Sequence, residues 1–123
     1  MVDFSLRIHP DVLFAYSQHY INLIIRVENR GPKPLWCEGD VKVPEGLSLS
    51  PTNHLLKGRI RIGIIEKNEF LEKSVRIFGN QYTAPQVYQA EVVVYAFNKD
   101  GIIETRMQKN IEIRCEKKKD ESI

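Results

Sequence analysis

From Tyr20 to Glu28 the chain places Ile21, Leu23, Ile25 and Val27 on one side and Asn22, Ile24, Arg26 and Glu28 on the other. Apolar residues at every second position mark an extended segment with one buried face, whereas a helix needs them every third or fourth position. The same period of two recurs in Phe4–Ile8, Leu35–Val43, Ile60–Ile64, Phe70–Phe78, Gln86–Phe97 and Ile102–Cys115. Turn-forming clusters separate these runs: Asn29-Arg30-Gly31-Pro32, Pro44-Glu45-Gly46, Glu66–Glu69 and Asn98-Lys99-Asp100-Gly101. At the first of these, Gly31 reads as a residue with positive φ. No helix-period stretch is long enough to serve as a crossover, which excludes a parallel βαβ architecture. Composition agrees, because Ile and Val supply 24 of the 123 residues and Ala and Leu only 13.

The pattern predicts an all-β chain, an immunoglobulin-like antiparallel β-sandwich of about seven strands in two sheets. It forms a single domain over residues 1–115, followed by a polar C-terminal tail over 116–123. In Ig lettering the expected sheets are A–B–E–D and C–F–G. The expected core holds Leu23, Ile25, Val27, Val41, Val43, Ile62, Val75, Ile77, Ala90, Val92, Val94, Ile111 and Ile113. A bulge is expected in the last strand at Gln108–Asn110, where polar residues interrupt the apolar alternation.

Charge is nearly balanced, with 18 Lys and Arg against 16 Asp and Glu, so no strong field directs the chain to nucleic acid or anionic lipid. Arg59 with Arg61, and the run Lys117–Lys119, read as solubility and edge protection. The N-terminal residues enter strand alternation without the basic and apolar regions of a signal peptide. The longest apolar run, Val92–Phe97, is far short of a membrane span. The expectation is a cytoplasmic chain with no membrane span. The two cysteines, Cys37 and Cys115, form no CxxC pair and are expected as reduced, buried thiols, with a disulfide between them as the alternative.

Two stretches carry a family resemblance. Ile21–Gly31 runs from an alternating strand into Val-x-Asn-x-Gly, and Val43-Pro44-Glu45-Gly46-Leu47 closes the next long strand. Further on, Val92–Phe97 leads through an Asp-Gly turn to the last strand. Together they resemble CARDB-type (cell-adhesion-related) and alpha-galactosidase-associated Ig-like domains. The resemblance implies a β-sandwich serving in adhesion, scaffolding or spacing.

Chemical constellations are sparse. His9, His19 and His54 show no metal-ligand spacing, no serine or cysteine lies in a nucleophile context, and the glycines are too scattered to cradle phosphate. Paired acids such as Glu66 and Glu69 fall in a turn. No catalytic residue, metal or cofactor is expected, and the chain does not read as an enzyme. One feature stands apart: in Gln86–Phe97 the face opposite the core begins with Gln89 and Glu91 but ends with Val93, Tyr95 and Phe97. If Trp36 points outward it joins them, and Trp36, Val93, Tyr95 and Phe97 form a candidate partner surface. A bulge at Gly39 would instead bury Trp36, the placement favoured here because antibody-type domains bury a Trp on this strand. Tyr88 or Tyr82 would supply a tyrosine corner. The leading functional expectation is a non-enzymatic protein-interaction or scaffolding module, self-associating as a homodimer or binding another protein through a sheet face or edge. The alternative is a carbohydrate-binding or surface-adhesion module.

Overall fold

A computed structural model describes residues 1–118, all strands and connections without a helix. Eight strands form: β1 (Val2–His9), β2 (Val12–Phe14), β3 (His19–Asn29), β4 (Leu35–Lys42), β5 (Lys57–Ile65), β6 (Phe70–Gly79), β7 (Gln86–Phe97) and β8 (Ile103–Glu116). They make a three-stranded sheet in the order β1-β3-β6 and a five-stranded sheet in the order β2-β8-β7-β4-β5. The larger sheet curls into a half-barrel. Of the expected tail, Glu116 ends β8 and Lys117 and Lys118 follow it, while residues 119–123 lie outside the described part of the chain.

Two features of the expected topology are corrected. The short β2 is an eighth strand, and it pairs parallel to the end of β8, Val12 opposite Arg114 and Phe14 opposite Glu116. β5 belongs to the larger sheet, antiparallel to β4, and not beside β6. Alternation in a single strand gives its buried face but not its lateral neighbours, so β5 could not be assigned to a sheet from its own residues.

Both sheets turn their apolar faces into one core. The expected core residues are all buried except Val75 and Ile111, which are half-buried and packed against the rest. Phe4, Leu13, Ile21, Leu35, Leu47 and Ile65 are among the further residues that fill it. Cys37 and Cys115 are free, and burial pushes the Cys37 thiol up to about 11 and the Cys115 thiol also upward. In register, Cys37 lies opposite Ala96 and Cys115 opposite Gln86. Ten residues of β7 separate those positions, on the order of 30 Å of strand rise and far beyond disulfide reach. Their reduced state is therefore fixed by position and carries no information about compartment.

β5 departs from simple alternation. Cys37 faces Gly63 but Glu38 faces Arg61, so Ile62 is an extra residue and the strand bulges. Gly63 takes φ +124°, a conformation side-chain-bearing residues adopt poorly. The bulge flips parity: Ile62 and Ile65 are buried while Ile64 is 59% exposed. The bulge expected at Gln108–Asn110 is absent there. The β7–β8 register runs unbroken through those residues and shifts between Ala96 and Phe97 instead. Lys109 accordingly sits at a core-facing position. Gly31 has no positive φ; a Cβ there would lie 2.7 Å from the Met1 nitrogen, so close chain approach is what requires glycine.

Candidate functional site

The outer face of the five-stranded sheet is built by the odd–even logic of β4, β5, β7 and β8. In β4, Leu35, Cys37, Gly39 and Val41 face the core, while Trp36, Glu38 and Asp40 lie half-buried on the other side. Trp36 is therefore outward, and the favoured burial is corrected. Register in β4 stays regular through Gly39 against β7, so nothing rotates the indole inward.

Following the register across strands gives ordered rows on this face. The first row is Ile64 (β5), Trp36 (β4), Phe97 (β7) and Ile103 (β8). Four strands at the usual spacing make it about 14 Å long. The second row is Arg61, Glu38, Tyr95 and Arg106, and the third is Arg59, Asp40, Val93 and Gln108. The structure thus gathers Trp36, Val93, Tyr95 and Phe97 on one face. Val93 is nearly covered, 6% exposed, whereas Trp36, Tyr95 and Phe97 are half-buried. Ile64 and Ile103, at 59% and 52% exposed, extend the apolar row to both ends. Sequence reasoning missed both: the parity of Ile64 depends on the β5 bulge, and that of Ile103 on the irregularity opposite Phe97.

These side chains are held in place. Trp36 Nε1 donates to Glu38 Oε2 at 2.6 Å, and the Tyr95 and Phe97 rings lie 6.4 Å apart in a tilted pair. Arg59 donates through Nε and Nη2 to the two oxygens of Asp40 at 2.8 and 3.1 Å. Its guanidinium stands 3.5 Å from Glu38 and 5.0 Å from the centre of the Tyr95 ring. The Arg59 hydrogen bonds hold the Asp40 carboxyl below its usual range.

The outer face of the smaller sheet differs. There Arg7 and Arg26 contact Glu72 at 3.0 and 3.6 Å, Arg26 and Arg30 contact Glu28, and the Arg26 guanidinium lies 3.5 Å above the Phe70 ring. Arg30 and Arg26 hold Glu28, and Arg7 holds Glu72, below the ordinary carboxylate range. That face combines ion pairs with a Tyr20–Phe78 pair whose rings lie 5.5 Å apart and whose Tyr20 ring is covered by Arg76 at 4.8 Å, whereas the other sheet carries the continuous apolar row. The histidines sit apart, His9 ending β1, His19 accepting from the Phe14 N–H, and His54 3.1 Å from Glu45. Among the described residues no three His, Cys, Asp or Glu side chains converge as metal ligands, and no helix is long and apolar enough to cross a membrane.

No family model matches the sequence, and no curated protein matches it. Solved structures do match its fold. A FixG-related protein from Vibrio parahaemolyticus aligns with TM-score 0.56 and 11% identity over 93% of this chain and 95% of its own. The putative ApaA protein from Bordetella pertussis aligns with TM-score 0.56 and 12% identity over 94% and 92%. The CARDB domain of the PF1109 protein from Pyrococcus furiosus, solved in complex with di-metal ions, aligns with TM-score 0.50 and 13% identity over 95% and 96%. At these identities the likeness is one of β-rich fold, a CARDB domain among them.

Proposed function

We propose that this chain is a non-enzymatic protein-interaction module with an immunoglobulin-like sandwich fold of CARDB type, and that it engages a protein partner through the outer face of its five-stranded sheet. Tyr88 supports the fold reading: near the start of β7, its hydroxyl donates to the Ala84 carbonyl at 2.8 Å, the hydrogen bond of a tyrosine corner. Tyr82, the other candidate, is 79% exposed.

The observation that carries the function is the row Ile64–Trp36–Phe97–Ile103. It places four large apolar side chains side by side on the outer face of the curled, hydrogen-bonded sheet, flanked by Tyr95, Arg61 and Arg106. Interfaces concentrate their binding energy in Trp, Tyr and Arg anchors of this kind. Indole and phenol are already positioned by Glu38 and Arg59, so docking costs little side-chain entropy.

The edges favour a face over strand addition. Lys109 points inward from the stretch of β8 that β2 leaves uncovered, Lys73 occupies a core-parity position on β6, and β5 is bulged and basic. Inward charges and bulges are the devices by which sheets discourage edge pairing.

The reading is tested by placing a photo-crosslinking residue at Ile103 and, separately, at Ser74 on the outer face of the smaller sheet, in cells of the native source. Discrete protein adducts are expected from position 103 and not from 74, and Trp36→Ser should abolish them. An adduct of twice the chain mass identifies a second copy as partner. Equal labelling from both positions, or adducts indifferent to Trp36→Ser, overturns the proposal.

A further inference from the structure

At the end of the molecule opposite the apolar row, two loops meet. The 15–18 loop follows β2, and the 80–85 loop joins β6 to β7. They enclose a shallow cleft lined by Tyr16, Ser17, Gln18, Asn80, Gln81 and Tyr82. Each of these side chains ends in a neutral hydroxyl or amide group. In a chain with 28% charged residues, no charged side chain among the described residues lines it.

The two loops are braced against one another. Tyr16 N–H donates to the Thr83 carbonyl at 2.9 Å, and Tyr16 itself holds a left-handed backbone with φ 54°, uncommon for an aromatic residue. Thr83 is fully buried. Its hydroxyl accepts from the Asn80 N–H at 2.8 Å and donates to the Gly46 carbonyl at 2.7 Å. The Asn80 side chain in turn accepts from the Tyr82 N–H at 2.7 Å. Thr83 thus anchors the loop in the core, and Tyr82 projects from its tip 79% exposed, across from Tyr16 at 51%. Two exposed phenols thus stand on braced loops, outside the core.

From this cleft we infer a binding site for a neutral saccharide. A sugar ring has an apolar C–H face that packs on an aromatic ring and a rim of hydroxyls that donate and accept together. Tyr, Ser, Asn and Gln supply matching groups of both kinds. Among the described residues, anionic and cationic ligands find no countercharge lining the cleft. A peptide segment is less well served, because the cleft offers no aliphatic pocket for an anchoring side chain. The site is separate from the apolar row and does not depend on it.

The test is an amide-resolved NMR titration of the full chain with maltohexaose, cellohexaose, mannohexaose and N-acetylchitohexaose. At least one is expected to bind saturably, with shifts confined to residues 15–18 and 80–84 and to the side-chain amides of Gln18, Asn80 and Gln81. Tyr82→Ala should weaken that binding about tenfold, the loss of one ring contact worth about 1.4 kcal/mol. Tyr82→Phe, which keeps the ring, should retain most of it. The exposure of Tyr82 leaves the rest of the spectrum unchanged in both variants. Silence from all four sugars, shifts centred elsewhere, or binding indifferent to Tyr82→Ala overturns the inference; silence from the sugars alongside shifts with an unrelated peptide would assign the cleft to protein.

Discussion

The ammonium of Lys109 donates a hydrogen bond to the main-chain carbonyl of Phe4, joining β8 of the larger sheet to β1 of the smaller one. The same group lies 5.1 Å from the Phe4 ring centre and 3.9 Å from Asp3. Lys109 occupies a core-parity position, opposite the buried Val92, yet its side chain is 47% exposed. The stem packs along the gap between the sheets while the charge reaches its rim. The open side of the molecule is closed by a cation that also occupies a carbonyl a strand-adding chain would use.

Lys109→Met keeps the stem and removes the charge. Its effect on urea unfolding should be small, about 1 kcal/mol in either direction, because a lost charge-assisted hydrogen bond is offset by apolar burial. Its effect on association should be larger, with concentration-dependent oligomers in sedimentation velocity where the parent chain shows fewer. An unchanged sedimentation profile would show that Lys109 does not guard this edge.

The β5 bulge predicts opposite outcomes for adjacent isoleucines. Ile65→Ala removes a fully buried side chain and should cost about 2–5 kcal/mol, whereas Ile64→Ala should fall within about 0.5 kcal/mol. Gly63→Ala forces a side chain onto φ +124° and brings its Cβ 3.0 Å from Leu71, which should cost about 1–3 kcal/mol. Chemical denaturation of the three variants checks the parity directly, and equal costs at 64 and 65 would refute it.

Those same residues show where sequence reading stops. The alternation in β3 and β7 shows directly which side faces the core, because both strands are flanked on each side and depart little from period two. In β5 the run Ile60-Arg61-Ile62-Gly63-Ile64-Ile65 fits two registers, and the bulge at Ile62–Gly63 chooses between them through contacts with β4 and Leu71. Lys109 presents the opposite case. A lysine at a core-parity position reads as a register slip until the neighbouring sheet supplies a carbonyl for it. Analogy with antibody-type domains places Trp36 in the core, whereas strict alternation from Val41 back through Cys37 puts it outside. The cleft between Tyr16 and Tyr82 left no trace in periodicity, because 66 residues separate its two halves.

Acid should destabilise the fold through Asp40, Glu28 and Glu72, all held below their ordinary values by arginine neighbours. The unfolded chain takes up protons near the normal carboxylate value, and the folded chain resists until lower pH. Stability contributed by these pairs is complete above the normal value, near pH 4, and is lost as pH falls through the depressed one. Asp40→Asn should flatten this acid limb and cost about 1 kcal/mol or less at neutral pH, since Arg59 is half-exposed. Urea midpoints measured from pH 6 down to pH 3 would show it; an acid limb unaltered by Asp40→Asn would place the sensitivity elsewhere.

The Asn of the Val-x-Asn-x-Gly segment joins the sheets as well as closing a strand. Asn29 is fully buried at the end of β3, and its Nδ2 donates to the Ile65 carbonyl of β5 at 2.9 Å and to the Lys33 carbonyl at 2.7 Å. Its Oδ1 accepts from the Gly31 N–H at 2.9 Å, and its main chain exchanges hydrogen bonds with Asn68 and Glu69 in the connection between β5 and β6. One side chain thus ties the crossing of the chain from one sheet to the other, and without it two carbonyls and an amide lose their partners. Asn29→Ala should cost about 3 kcal/mol, from three hydrogen bonds worth about 1 kcal/mol each. Asn29→Asp should cost at least as much, because a carboxylate keeps the contact with Gly31 but turns an acceptor toward the Ile65 and Lys33 carbonyls. Asn22→Ala, on the outer face of the same strand, should stay within about 0.5 kcal/mol. Urea unfolding of the three variants separates the tie from the strand, and a cost at Asn29 no larger than at Asn22 would show that the sheets hold together without it.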